Sequence, residues 1–372
     1  MKPECVLITG GGTGGHLSPG IALYEEFTAK NIQAYMLAGK RDARFTYLKE
    51  LGEGHLLLYG APSFTKNPLK LPFFLLAFGF AVMRAMRIIR KTGAQAVVGM
   101  GGYVSGPALI AARFKGVPIY LCEQNTVPGR VTSFFAKKAA RVFTTFEATA
   151  NYFKKDVAQK LLPAGNPIRK KILAQVDRDT ARRHFNLRHC KRVVLAIGGS
   201  QGALRINELM LGLKRQFPRD FQETGIIWST GDLSFRKYKD QVHASNNAGS
   251  VYMSPFIEEV TLAYRASDLA ISRAGSGVMM EIAAMGLPSV LIPFPFAAQD
   301  HQDKNADVFA EAGASLKISN SDAAPEKAGP AILELLNNPS RLQRMAARAL
   351  EVAKPDAAAD IVKTIMSDIA QR

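Results

Sequence analysis

Twice in this chain a short apolar run breaks into glycines and then resumes as a helix-forming stretch. That repeat constrains the fold more than any other feature. The first run is Cys5–Thr9, followed by Gly10-Gly11-Gly12-Thr13-Gly14-Gly15. The second spans 193–197, followed by Gly198-Gly199-Ser200-Gln201-Gly202 and a helical stretch from Ala203. Strands this short, alternating with helices, predict a parallel sheet covered on both faces. Runs at 34–38, 96–99, 118–122 and 141–144 continue the first series, and 226–229, 251–253, 269–271 and 289–292 the second. The expected class is α/β, with two doubly wound Rossmann-like domains in tandem. A chain of 372 residues with 47% hydrophobic and 21% charged residues has material for two cores and is far from disordered composition. Pro163, Gly165 and Pro167 interrupt the pattern. The expected division is therefore 1–164, a linker at 165–192, and 193–350, with a last helix at 351–372 packing back toward the first domain.

The glycine turns carry the first functional signal. Gly10 to Gly15 satisfies GxGxxG after a strand, with a helix expected to open near Ser18-Pro19. Glycines let backbone N–H groups approach an anion, and a helix N-terminus adds partial positive charge. A dinucleotide fold would place an acid at the end of the second strand, roughly 20 residues on, for the ribose. Here that strand ends Leu37-Ala38-Gly39-Lys40-Arg41, which argues against NAD and NADP. A second turn is Met100-Gly101-Gly102-Tyr103-Val104-Ser105-Gly106-Pro107, with Ser105 or Pro107 placed to start a helix. Three such turns suggest two phosphorylated ligands. The absence of GxxxxGK[ST] excludes a P-loop ATPase.

Beside these turns stand groups able to move protons. His16 follows the first turn at the sheet edge where open α/β proteins bind ligands, and an imidazole there can act as a general base. Glu123-Gln124-Asn125 leaves a strand at the same edge. Glu281 sits among Ile282, Ala283, Ala284 and Met285, so its charge needs a partner or a cleft. Asp177-Arg178-Asp179 matches DxD by letter, but its position before a helix favours N-capping. Basic groups and helix N-termini can stabilise a leaving diphosphate, so no metal and no cofactor is expected.

Forty-eight Lys and Arg against 31 Asp and Glu leave a net charge of +17, which attracts nucleic acid, anionic lipid or phosphorylated substrates. Residues 71–83 carry no charge; Lys70 precedes them, and Arg84, Arg87, Arg90 and Lys91 follow. No stretch here reaches the ~18–20 apolar residues that span a bilayer. The segment reads either as a buried core helix or as an interfacial one, with Phe73, Phe74, Phe78 and Phe80 in lipid and Arg84, Arg87 and Lys91 on head groups. Phe134-Phe135-Ala136-Lys137-Lys138 could extend that patch. The three cysteines, Cys5, Cys122 and Cys190, form no CxxC pair, which with an N-terminus lacking a signal-peptide pattern reads as a reducing cytosol.

Taken in order, these motifs resemble the MurG family of peripheral membrane N-acetylglucosaminyltransferases, which make lipid II for bacterial peptidoglycan. The resemblance rests on Gly10 to His16, GMGGYVSGP at 99–107, EQN at 123–125 and GNPIR at 165–169. It continues with GGSQGA at 198–203, Phe256-Ile257, RAGSG at 273–277, MEIAAMGLP at 280–288 and HQDKNA at 301–306. It implies a GT-B fold whose two domains face a cleft, and inverting β-1,4 transfer from UDP-GlcNAc to undecaprenyl-diphosphate-linked MurNAc-pentapeptide (lipid I). It further implies that Ile257 meets uracil through its backbone and Glu281 the ribose hydroxyls. Arg169, Ser200, Ser276 and Gly277 would meet the diphosphate, and Gln302 and Asn125 the GlcNAc, with Thr13, Gly14 and Gly15 close to the donor. Gly12, Thr13, Gly102 and Tyr103 would face the acceptor diphosphate, and His16, or alternatively Glu123, would be the base. Where some members carry two glutamines this chain has His301-Gln302, which leaves His301 unassigned. The resemblance places the protein on the cytoplasmic face of the inner membrane, on anionic lipid and beside other cell-wall synthesis proteins. Three other readings remain: a glycosyltransferase acting on another membrane lipid, a UDP-GlcNAc 2-epimerase, and a basic nucleic-acid binder. The last predicts aromatics interleaved with Lys and Arg in a groove, a pattern the chain lacks, so nucleic acid is not an expected partner.

Overall fold

The computed structural model describes the whole chain except residues 1–3, 45–47, 49–50, 53, 63–66, 200–201, 244–249 and 372. It divides into two compact units, one formed by 1–170 with 355–372 and the other by 171–354.

In the first unit the strands are β1 (Cys5–Thr9), β2 (Gln33–Gly39), β3 (Leu56–Tyr59), β4 (Ala96–Gly99), β5 (Ile119–Glu123), β6 (Arg141–Thr144) and β7 (Leu161–Leu162). They form one parallel sheet in the order β3-β2-β1-β4-β5-β6-β7. The helices are α1 (Gly14–Ala29), α2 (Leu71–Thr92), α3 (Gly102–Phe114), α4 (Arg130–Phe135) and α5 (Lys155–Ala158). Successive strand residues face opposite ways. Val6 and Ile8 pack against α1, while Cys5 and Leu7 share a core with α2 and α3.

In the second unit the helices are α6 (Arg178–His184), α7 (Leu204–Gln216), α8 (Asp232–His243), α9 (Val260–Ala266), α10 (Ser276–Ala284), α11 (His301–Glu311), α12 (Pro325–Leu336) and α13 (Pro339–Val352). The strands β8 (Arg192–Ile197), β9 (Thr224–Ser229), β10 (Val251–Ser254), β11 (Leu269–Ser272), β12 (Ser289–Leu291) and β13 (Ser315–Lys317) form a second parallel sheet, ordered β10-β9-β8-β11-β12-β13. The final helix, α14 (Ala357–Ala370), belongs to the first unit. There it buries Ile361, Val362 and Ile365 in the core that α1 covers, and Arg141 grips Asp368 with two hydrogen bonds of 3.0 Å.

Several sequence readings need correction. The segment 165–192 is not a separate linker, because residues to 170 belong to the first unit and those from 171 to the second. The N-capping expected of the Asp177 segment does hold: Asp177 accepts from the Thr180 N–H at 2.8 Å at the start of α6. The helices after the first two glycine turns begin a turn earlier than the prolines suggest, at Gly14 and Gly102, which leaves Pro19 and Pro107 inside α1 and α3. Neither proline has an N–H to return to the carbonyl four residues back. The strands β3, β7 and β13 are absent from the sequence reading.

The apolar segment is not a core helix. In α2, Phe73, Leu76 and Phe80 are 74%, 63% and 65% exposed, while Ala81, Val82, Ala85 and Ile89 are buried. Phe74 is half-buried against Phe78, whose ring packs toward Gly106 rather than outward. An 18-residue window of α2 has mean hydropathy 1.7, long and apolar enough to cross a membrane by length and composition alone. It passes because it tolerates Arg84 and Arg87, which a count of uninterrupted apolar residues does not.

Candidate active site

Both sheets follow the order in which the chain runs outward one way from its first strand and then returns to run the other way. Ligands of such sheets bind where the order reverses, beyond the carboxyl ends of the strands. The reversals fall between β1 and β4 and between β8 and β11. In the first unit the segments leaving those strands are Gly10 to Thr13 and Met100 with Gly101. In the second they are the turn that starts at Gly198 and the loop from Arg273 to Gly275.

In the first unit, two glycine turns close on each other. Gly102 has φ +72°, and a Cβ there would stand 2.5 Å from the Gly11 carbonyl oxygen, so no other residue fits. The His16 ring lies over this turn, its Nε2 3.2 Å from where a Gly101 Cβ would be. Thr13, the N-cap of α1, turns its hydroxyl to His16 Nδ1 at 2.9 Å rather than to the helix. Tyr103 flanks Gly12. Thr13 and Gly15 are exposed, and Gly14 and His16 half-buried.

Asp42 carries no motif that singles it out in the sequence. Its buried carboxylate accepts from the Gly12 N–H at 2.9 Å and the Gly39 N–H at 3.0 Å. The acid sought at the end of the second strand is thus present three residues beyond Gly39, braced against the loop. The Gly12 N–H is spent on it, so this amide is not the anion donor that the sequence reading assigned to Gly12.

Glu123 also faces inward. Oε1 accepts from the Asn125 N–H at 3.0 Å, and Oε2 from the Gly129 N–H at 2.9 Å. Burial pushes its carboxyl up, against hydrogen bonds from Thr132, Asn125 and Gly129 that pull it down. Its geometry is that of a brace for the turn from 123 to 129. Asn125, half-buried, also accepts through its carbonyl from the Thr149 hydroxyl. Arg169 follows the Gly165 turn and is half-buried.

In the second unit, Ser276 opens α10 and is buried, while the Gly275 and Gly277 positions border open space. One turn on, Glu281 accepts from the Tyr264 hydroxyl at 2.9 Å, the partner its apolar neighbours demanded. Ile257 is buried beyond β10. Ser200 lies outside the described residues.

A second residue missed in the sequence ties this edge together. Arg273 donates to the carbonyls of Ile292 and Pro293, both at 3.0 Å, and to Asn320 Oδ1 at 2.8 Å, with its guanidinium 5.5 Å from the Phe294 ring centre. Gln302 Oε1 accepts from the Phe294 N–H at 2.9 Å. The loop after β11 therefore fixes the loop after β12, which orients Gln302. His301 Nδ1 contacts the Ala298 carbonyl at 2.7 Å. Between them, Gln299 and Asp300 hold φ of +56° and +52°, a region non-glycine residues seldom occupy. The RAGSG signal named the loop but not its arginine's reach, which depends on strand order.

The loops at the reversal of each of two parallel sheets are placed to take phosphorylated ligands, and the comparisons make the class specific. The N-terminal domain of glycosyltransferase family 28 matches residues 6–144 and its C-terminal domain residues 193–364. The chain is a glycosyltransferase of the GT-B type. A UDP-N-acetylglucosamine–N-acetylmuramyl-(pentapeptide) pyrophosphoryl-undecaprenol N-acetylglucosamine transferase from Halothermothrix orenii is 33% identical over 97% of this chain and 98% of its own length. The enzyme of the same name from Pseudomonas syringae pv. tomato is 36% identical over 96% of each. The crystal structure of Acinetobacter baumannii MurG matches with TM-score 0.72 and 26% identity, covering 98% of this chain and all of that one. The chain belongs to the MurG family and is an N-acetylglucosaminyltransferase. A UDP-GlcNAc 2-epimerase from Neisseria meningitidis, bound to UDP-GlcNAc, matches with TM-score 0.68 at 14% identity, which shows a shared fold alone.

Proposed function

We propose that the protein transfers GlcNAc from UDP-GlcNAc to the 4-hydroxyl of lipid I with inversion, giving lipid II, and that the first unit takes the acceptor and the second the donor. The observation that carries the chemistry is the Thr13–His16 pair lying over the Gly101–Gly102 turn. Nδ1–H donates to the Thr13 hydroxyl, and Nε2 takes the acceptor proton as the acceptor oxygen bonds to the anomeric carbon. The bond from that carbon to the diphosphate breaks, and UDP leaves with the electron pair. The amides opening α10 stabilise its charge without a required metal. Thr13, Gly102 and Tyr103 face the acceptor diphosphate, Glu281 the ribose and Gln302 the sugar. Glu123 serves as a brace rather than as the base.

Access to a lipid-linked acceptor comes from α2. Phe73, Leu76, Phe80, Arg84, Arg87 and Lys91 follow one another at steps of three or four, so one exposed stripe runs from apolar to basic. Such a helix lies in the interface of an anionic membrane. Peripheral binding at the cytoplasmic face of the inner membrane follows from this reading.

The test is transfer from radiolabelled UDP-GlcNAc to a short-chain lipid I analogue. His16→Ala should lower turnover by about two to four orders of magnitude while leaving UDP affinity near its original value. Undiminished turnover removes His16 from the mechanism. Activity should also survive EDTA, and loss restored by a divalent ion would overturn the metal-free reading.

A further inference from the structure

In the second unit a groove of about 570 Å³ follows the outer edge of the sheet. Its floor is β13, which among the described strands pairs with β12 alone. The Ile318 N–H donates to the Leu291 carbonyl at 2.9 Å, and successive strand residues turn their backbone groups to alternate sides. Ser315 and Lys317 therefore direct their N–H and C=O groups away from β12, toward the groove. An edge of this kind accepts another strand, and a lysine side chain often guards it. Here Lys317 is bound back to Asp303 and Asp307 on α11, at 2.7 and 2.6 Å. Gly313, at φ +72°, and Ala310 keep the approach clear of bulky side chains.

A strand of three residues holds little by itself, so the wall beside it decides what binds. That wall is α13, from which Arg341, Arg344 and Arg348, at steps of three and four, line the groove on one helix face. No carboxylate lines it among the described residues. Arg341 and Arg348 hold Glu334 and Glu351, each at 2.7 Å, but both carboxylates are 61% exposed, and exposed pairs are weak and exchange partners readily. Arg344, between them, has no carboxylate partner among the described residues. A guanidinium fork matches a carboxylate through two parallel hydrogen bonds. Leu316 and Met345 add apolar surface at the bottom.

We propose that this groove takes an extended, acidic segment of a partner protein, which adds to β13 as a further strand and sets its carboxylates on Arg341, Arg344 and Arg348. The strand edge supplies backbone hydrogen bonds, and the arginine row selects acidic side chains. The groove is two strands out from β11, outside the turns after β8 and β11 that the donor reading uses, and the inference does not depend on that reading.

The test is fluorescence anisotropy of labelled, end-blocked hexapeptides on the full chain at physiological salt. One probe alternates Glu with Val and the other Lys with Val; only the acidic probe should bind. Alternate N–H groups of an extended chain face opposite edges, so methylating the Glu nitrogens or the Val nitrogens blocks one edge each. One methylated probe should lose roughly tenfold in affinity while the other keeps it. Arg344→Ala should weaken the acidic probe by up to about fivefold, and joint exchange of Arg341, Arg344 and Arg348 for alanine by roughly tenfold or more. Exchanging Arg183, Arg188 and Lys191, which are also exposed and paired, removes the same charge elsewhere in the second unit and should change binding by less than about twofold. Transfer activity equal to the original checks the fold of each variant. Two methylated probes that behave alike overturn strand addition, and equal losses in the two triple variants overturn the arginine row. If the acidic probe fails to bind the original protein, the groove is no docking site.

Discussion

Gln302 shows how one hydrogen bond decides what a residue can recognise. With Oε1 committed to the Phe294 N–H, the amide presents its NH₂ group, so in the proposed sugar contact Gln302 would be the donor. Gln302→Glu keeps the acceptor and loses the donor. Discrimination between UDP-GlcNAc and its C4 epimer should fall by roughly 10- to 100-fold, as for one lost polar contact; steady-state kcat/KM for the two donors checks this. Glu123 makes a different prediction. Its carboxyl is raised by burial, so its stabilising contribution is full below the ordinary carboxylate range and is lost as pH rises through the raised value. Glu123→Gln should flatten that decline, read as melting temperature against pH. An unchanged slope would show that another group carries it.

At the scale of the element, α2 is the part whose sequence and packing pull in different directions. Its small residues Ala81 and Ala85 let it approach the core, while its large apolar residues Phe73, Leu76 and Phe80 turn outward. Burial alone gives no reason for those side chains, whereas a lipid surface does. Exchanging Arg84, Arg87 and Lys91 for glutamate should remove about three favourable cation contributions of roughly 1 kcal/mol each, and add repulsion. Co-sedimentation with anionic vesicles should be lost at physiological salt while turnover on a short-chain acceptor is kept. Retained sedimentation would separate α2 from the membrane.

The whole molecule is two compact units on one chain, with the last helix returned to the first. Ile365 in α14 is fully buried beside Ile361 and Val362. Ile365→Ala should cost about 2–5 kcal/mol through lost burial and a cavity. Because each unit has its own sheet, calorimetry should resolve more than one transition, and only the transition of the first unit should shift. A shift in the second unit's transition would show that α14 stabilises both.

The sequence by itself determined the two sheets, most of their strands, the glycine turns and His16, because strand periodicity and backbone conformation are local properties written in neighbouring residues. It also located the apolar segment, without deciding which side chains faced out. Only the tertiary structure decided that Asp42 braces the first turn, that Arg273 ties two loops together, that Glu123 faces its own turn and that Phe78 packs inward. Glu123 finds its partners within six residues, in the folded shape of its own turn; the others depend on which strands lie side by side, and adjacency in a crossover sheet joins residues far apart along the chain.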